Sequence, residues 1–279
     1  MKIIDILNSK KTISFEFFPP KRDSDLPRLY ETVDRLSTYN PDFVSFTYGA
    51  GGNTRQLTTQ VSKEAKLSDK FEVMSHLTCI AHNKTEIINI LKNLTLSNIE
   101  NIIALRGDTP KDMTISKDNL KHATDLIEII KSNFSNFCIA GACYPEFHPE
   151  SNNSVDDIKF TKMKQDKGVD FLITQLFFDN KDFLSFKEKA IKNGITIPII
   201  PGILPITSTK QIRRFTKLCG SKIPLKLNEK LEGKVIGLRS LLYTYFRSRS
   251  NPNNMIHLYD LTEDPLELHN IADVNIEIV

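Results

Sequence analysis

Short runs of β-branched and aromatic residues alternate along the chain with longer stretches in which apolar positions recur every three or four residues. The short runs are Thr12–Phe18, Asp42–Tyr48, Phe71–Thr78, Asn101–Arg106, Asn136–Tyr144, Asp170–Phe177 and Ile197–Gly202, and each predicts a strand. The amphipathic stretches Leu26–Thr38, Arg55–Leu67, Lys84–Leu96, Asn119–Ser132, Val155–Lys167, Lys181–Lys192 and Lys210–Leu218 predict the helices that follow them. Thr207 or Ser208 can cap the last helix through a side-chain oxygen, and Gly168 and Gly194 stand where helices would end in left-handed backbone. Seven β-α units in succession predict an α/β fold with a parallel sheet. That many units favour a (β/α)8 TIM-type barrel over an open doubly wound sheet.

Strand side chains point alternately to two faces. In the first strand Ile13, Phe15 and Phe17 form one row, and Ser14, Glu16 and Phe18 the other. The polar row continues through Ser45 and Thr47, then Met74, His76 and Thr78, then Ala104 and Arg106 with Asp108 just beyond. Tyr144 ends the fifth strand and Gln175 lies near the end of the sixth. Six successive strands thus carry a polar group near their carboxyl ends, where barrel enzymes assemble their sites. Glu16 is conspicuous among them, set between phenylalanines in a strand that Pro19-Pro20 terminates. An apolar surround disfavours the charged carboxylate, so two expectations stand: a carboxyl kept protonated for proton transfer, or a structural ion pair, with Arg106 as the partner.

After about Asn228 the pattern changes, and no eighth β-α unit is visible. Leu242–Arg247 and Met255–Asp260, separated by the turn-like Asn251-Pro252-Asn253-Asn254, predict an antiparallel hairpin. The expected organisation is therefore a barrel over residues 1–228 and an atypical segment over residues 229–279.

Composition narrows the field. The 279 residues are 40% hydrophobic, enough for a full core, and the net charge of +3 suggests no nucleic-acid or membrane surface. Cys79, Cys138, Cys143 and Cys219 include no C-x-x-C pair, so neither a zinc site nor a disulfide framework is expected, and a reducing compartment is. Lys2 and Asp5 precede any apolar run that could serve as a signal peptide, and no stretch reaches membrane-spanning length. A cytoplasmic location is the resulting expectation.

Seven ordered segments carry a resemblance: Ile13–Pro20 (ISFEFFPP), Phe46–Ala50 (FTYGA), His76–Cys79 (HLTC), Ala104–Asp108 (ALRGD), Tyr144–Glu150 (YPEFHPE), Thr174–Asp179 (TQLFFD) and Pro201–Pro205 (PGILP). Over about residues 10–228 the chain resembles the methylenetetrahydrofolate reductases, flavin-dependent barrel enzymes of one-carbon metabolism. The resemblance implies FAD-dependent reduction of 5,10-methylenetetrahydrofolate to 5-methyltetrahydrofolate, with NADH or NADPH as hydride donor. It implies Glu16 as the general acid that opens the folate's methylene bridge, and Asp108 as a carboxylate shared by flavin and pterin. Thr47, Tyr48, Ala50, His76, Arg106, Gly107, Asp108, Ala123, Tyr144, His148, Asp157 and Lys164 match cofactor-binding positions. Gln175, Gln211 and Phe215 match folate-binding positions. Phe160 and Met163 stand where the family often has asparagine and a basic residue.

Each residue also has a plainer reading. Gly107-Asp108-Thr109-Pro110 is an ordinary turn sequence, His76 and Tyr144 could be satisfied core residues, Lys164 a solvated lysine, and Phe215 a core helix position. Arg239–Asp273 resembles the C-terminal hairpin segment of sulfatases, although Cys143-Tyr144-Pro145-Glu146-Phe147 lacks the C-x-P-x-R nucleophile signature. The expected function is the reductase. The alternative is an inactive or unstable truncated or fused chimera that at most binds flavin, and homo-oligomerisation is left open.

Overall fold

A computed structural model describes residues 1–20, 22–48, 52–80, 82–108, 119–204, 206, 208–232, 241–245 and 256–260. The strands are β1 (Ser14–Phe17), β2 (Phe43–Phe46), β3 (Glu72–Thr78), β4 (Asn101–Leu105), β5 (Cys138–Cys143), β6 (Phe171–Thr174) and β7 (Ile199–Ile200). They form one sheet in the order β1-β2-β3-β4-β5-β6-β7. That sequential order is the topology of an incomplete (β/α)8 TIM-type barrel. Parallel pairing is explicit in the registers Glu16↔Ser45, Ser45↔Met74, His76↔Ile103 and Ile102↔Ile139.

The connecting helices are α2 (Leu26–Ser37), α3 (Gly52–Leu67), α4 (Lys84–Leu96), α5 (Ala123–Asn133), α6 (Ser154–Asp166), α7 (Asn180–Lys192) and α8 (Thr209–Cys219). Their ends follow local chemistry. Asn83 caps α4 by accepting the Glu86 N–H at 3.0 Å, while Glu86 Oε2 accepts the Asn83 N–H at 2.8 Å. The α5 helix begins at Ala123 rather than Asn119 because the Asp125 carboxylate accepts the N–H groups of Lys121 and His122, fixing the first turn there. Ser208 caps α8, and Gly220 ends it in the left-handed conformation.

The chain divides into two compact units, Met1–Gly141 with Met163–Phe171, and Ala142–Lys162 with Leu172–Val279. In the first, Phe17, Val44, Phe46 and Val73 pack with Val33, Val61 and Ala65 of α2 and α3, and Phe15 packs against that cluster. One row of β1 thus faces the helices, as the alternation predicts. The first unit also holds a helix that sequence periodicity does not reveal, α1 (Ile3–Ser9). Its Ile3, Ile6 and Leu7 are buried, and Asn101, fully buried at the start of β4, secures it. Asn101 Oδ1 accepts the Ile3 N–H at 2.8 Å, and its Nδ2 donates to the Met1 carbonyl at 3.1 Å and the Val73 carbonyl at 3.4 Å.

In the second unit Phe178, Ile212 and Leu231 form the core of a cluster with Leu176, Leu204, Ile206, Ile223 and Leu227. Leu227 and Leu231 belong to another unforeseen helix, α9 (Leu225–Glu232). Beyond it, β8 (Leu241–Tyr245) and β9 (Ile256–Asp260) pair antiparallel as a separate two-stranded sheet. The predicted hairpin is therefore present, and among the described residues no eighth strand joins the parallel sheet. Among the described residues no helix is long and apolar enough to cross a membrane.

Candidate active site

The first unit brings together Glu16 and His76. Register puts Glu16 level with Ser45 and Met74, on the strand face opposite the Phe15–Phe17 row. The phenylalanines pack away from the carboxylate, and the Glu16 side chain is 46% exposed, which corrects the expectation of a carboxyl enclosed by aromatics. Its partner is His76, with Nε2 3.3 Å from Glu16 Oε2, and not Arg106. The imidazole itself is buried, and the contact is looser than an aligned hydrogen bond. Partial removal from water pushes the Glu16 carboxyl up, but the polar contact and positive charge offered by His76 outweigh it and hold the carboxyl below its ordinary range. The expected carboxyl protonated near neutrality is thereby corrected: with His76 beside it, Glu16 favours the ionised form.

Thr47 and Tyr48 follow β2 directly. The Thr47 N–H donates to the Phe17 carbonyl at 2.9 Å, and its own carbonyl accepts the hydroxyl of fully buried Thr58 at 2.8 Å. These bonds fix the strand end from which the Tyr48 phenol reaches His82, 3.1 Å from Nε2. Sequence reasoning missed His82. The available signal was its place immediately before the Asn83-x-x-Glu86 capping box.

Arg106 departs from the predicted alternation. His76 pairs with Ile103, Leu77 with Ala104 and Thr78 with Leu105, so Ala104 is not in the His76 row. Arg106 lies one residue past β4, where the pleat no longer dictates direction, although the Ile80 N–H still donates to the Arg106 carbonyl at 2.8 Å. Arg106 Nε donates to the Gly107 carbonyl at 3.3 Å. Gly107 has φ +83°, and a Cβ there would lie 2.8 Å from Thr78 Cβ and 2.9 Å from Ile80 Cγ2, so glycine is required both for conformation and for space. Of the predicted Gly107-Asp108-Thr109-Pro110 turn, Thr109 and Pro110 lie outside the described residues. Asp108 is exposed just after Gly107, Ala123 opens α5, and Lys164 is half-buried on α6. Ala50 lies outside the described residues.

The second unit holds its own cluster after β5 and β6. Tyr144 and His148 meet edge to face with ring centroids 4.7 Å apart, and His148 Nδ1 accepts the Glu150 N–H at 3.0 Å. That bond places the proton of a neutral His148 ring on Nε2. Phe147 between them adopts φ +137°, a strained conformation for an aromatic residue. Glu146, also missed from sequence, ties this loop down: its Oε1 accepts the Lys222 N–H at 2.9 Å, and burial raises its pKa. Gln175 follows β6, its Oε1 accepting the Leu176 N–H at 2.9 Å, and lies close to Tyr144, Glu146 and Ser221. The preceding residue, Thr174, donates no room: a Cβ at Gly202 would fall 2.3 Å from its carbonyl oxygen. Asp157 is buried in the first turn of α6 and accepts the Ser151 hydroxyl at 2.9 Å. Gln211 is exposed and Phe215 half-buried, one turn apart on α8.

A sequence profile described as methylenetetrahydrofolate reductase matches residues 2–236. Among curated relatives, the probable methylenetetrahydrofolate reductase (NADH) of Oryza sativa subsp. japonica is 36% identical over 250 residues, covering 83% of this chain and 42% of the relative. The 5,10-methylenetetrahydrofolate reductase of Escherichia coli is 37% identical over 221 residues, covering 79% of this chain and 73% of the relative. The chain thus spans less than half of the plant protein and about three quarters of the bacterial one. A solved structure of an uncharacterized Clostridium thermocellum protein that binds two copies of 5-methyl-5,6,7,8-tetrahydrofolic acid aligns with a TM-score of 0.58 at 22% identity, covering 81% of this chain and 77% of that one, and supports the fold.

Proposed function

Because the chain belongs to the methylenetetrahydrofolate reductase family, we propose that it reduces 5,10-methylenetetrahydrofolate to 5-methyltetrahydrofolate, using FAD and a reduced nicotinamide, NADH or NADPH. The observation that carries this reading is the Glu16–His76 pair: an accessible carboxylate at a strand's carboxyl end, held at 3.3 Å from a buried imidazole. Such a pair can hold one proton and present it to a ligand.

The residues suit a flavin. Its ring needs hydrogen-bond donors at the carbonyl edge and an apolar or aromatic surface, and Arg106, His76, Thr47 and Tyr48 offer both at the ends of β2, β3 and β4. Buried His76 is the strongest element of the fit, since its Nε2 is aimed at the carboxylate face. When bound, FAD would supply hydride transfer between nicotinamide and folate. Arg106, Gly107 and Asp108 would orient the ring, and Tyr144, His148, Asp157 and Lys164 would hold the remainder of the cofactor, with Gln175, Gln211 and Phe215 engaging the folate.

Proton transfer belongs to Glu16. A folate amine nitrogen covering Glu16 would displace water from the carboxyl group and favour its neutral form, from which Glu16 Oε2 hands its proton to the substrate nitrogen as the methylene bridge opens. The location that goes with this reading is the cytoplasm.

A second reading has one observation behind it: β8 and β9 pair with each other and not with the parallel sheet. It makes the chain a flavin-binding but inactive relative, with residues 229–279 a grafted segment. Purified full-length protein separates the two. Yellow flavin absorbance that bleaches with NADH and returns on adding methylenetetrahydrofolate is the expected result; bleaching without return supports the inactive form, and no FAD uptake overturns both.

A further inference from the structure

Tyr48, His82 and Glu86 form a chain in the first unit. The Tyr48 hydroxyl lies 3.1 Å from His82 Nε2, with the two rings tilted by 59° at a centroid separation of 6.0 Å. On the other side of the imidazole, Nδ1 is 3.6 Å from Glu86 Oε2. The histidine is only 6% exposed. Its backbone is fixed at both ends, the N–H donating to the Cys79 carbonyl at 3.1 Å and the carbonyl accepting the Leu120 N–H at 3.1 Å. Glu86 is fixed too, because the same Oε2 closes the capping box of α4.

A neutral imidazole has one donor nitrogen and one acceptor nitrogen. A carboxylate on the Nδ1 side favours the tautomer protonated there, which makes Nε2 the acceptor for the phenolic O–H. The tyrosine proton is then committed to His82, and its oxygen meets a ligand with lone pairs. We infer that His82, backed by Glu86, is the positioning residue that sets the ring angle and hydrogen-bond polarity of Tyr48, so that Tyr48 accepts a hydrogen bond from an N–H or O–H of the flavin. This inference rests on the flavin reading above.

The test uses the full-length chain as wild type, His82→Leu, His82→Gln, Tyr48→Phe and the Tyr48→Phe/His82→Leu double variant. FAD affinity is read by quenching of flavin fluorescence, and the Tyr48 environment by fluorine NMR of 3-fluorotyrosine-labelled protein without FAD. Loss of one neutral hydrogen bond predicts FAD binding about five- to tenfold weaker in His82→Leu. His82→Gln, which keeps a polar atom near the phenol, recovers most of that loss. The double variant binds no worse than Tyr48→Phe alone, because the two residues act through one bond. The Tyr48 resonance moves in His82→Leu, and also in Glu86→Gln, which retains the helix cap and removes the charge. Additive losses in the double variant, or a Tyr48 resonance indifferent to both His82 and Glu86, overturn the inference. If wild type takes up no FAD, the flavin reading fails by itself, and the resonance still decides whether His82 positions Tyr48.

Discussion

Replacing Gly107 by alanine puts two separable costs on the backbone that follows β4. The first is conformational: at φ +83° an L-residue loses about 1–2 kcal/mol relative to right-handed backbone. The second is steric. The new methyl would sit 2.8 Å from Thr78 Cβ and 2.9 Å from Ile80 Cγ2. Both neighbours are buried, and the backbone around them is held by the Cys79 N–H to the Leu105 carbonyl and the Ile80 N–H to the Arg106 carbonyl. Neither can retreat without breaking strand pairing, so overpacking adds about 1–3 kcal/mol. The sum, about 2–5 kcal/mol, is a large share of a domain's typical stability of about 5–15 kcal/mol. Gly194→Ala is the control: its φ of +76° carries the same conformational cost, but its added Cβ meets only the flexible tip of Lys162 at 3.4 Å. Urea unfolding followed by circular dichroism should show Gly107→Ala losing clearly more than Gly194→Ala. A Gly107→Ala variant within about 0.5 kcal/mol of wild type, the range of an ordinary surface change, would refute the reasoning.

Two further outcomes follow from buried polar contacts. Asn101→Ala leaves the buried Ile3 N–H without its acceptor and should cost about 1–3 kcal/mol, with faster hydrogen exchange concentrated in α1; uniform exchange across the unit would contradict the latch. For Glu16, the folded-state pKa lies below the ordinary 4.5, so the pairing contributes stability above that value and loses it as pH falls through the folded one. His76→Ala removes the lowering causes and leaves the effect of burial, so a carbon-13 titration of the Glu16 carboxyl should move upward; an unchanged midpoint would show that His76 does not act on it.

Much of this was legible in the chain because a parallel sheet buries its strands and leaves contiguous apolar runs. All seven strands and their seven following helices match the predicted stretches in order, with β7 shortened to Ile199–Ile200. The hairpin, β8 with β9, was visible for the complementary reason: a turn-rich Asn-Pro-Asn-Asn between two β-prone runs. The α1 helix was not, since seven residues give barely two turns of periodicity and its anchor, Asn101, is remote in sequence. Strand parity correctly separated Glu16 from Phe15 and Phe17, yet failed at Arg106, which lies beyond the last β4 residue. Parity also could not say that the face holding Glu16 is open, nor choose between His76 and Arg106 as its partner; both depend on register across strands. Glu146 and His82 were hidden because their roles arise from contacts with Lys222 and Tyr48, formed only when separate loops meet.

The most direct test of the central claim is a pair of rapid-mixing half-reactions on FAD-loaded Glu16→Gln. Glutamine keeps the size of the side chain and removes its exchangeable acid proton. Reduction by NADH should proceed near the wild-type rate, while reoxidation by methylenetetrahydrofolate should slow by about 100-fold or more, the scale of a lost general acid. Equal slowing of both half-reactions, or unimpaired reoxidation, would contradict the assignment of proton transfer to Glu16.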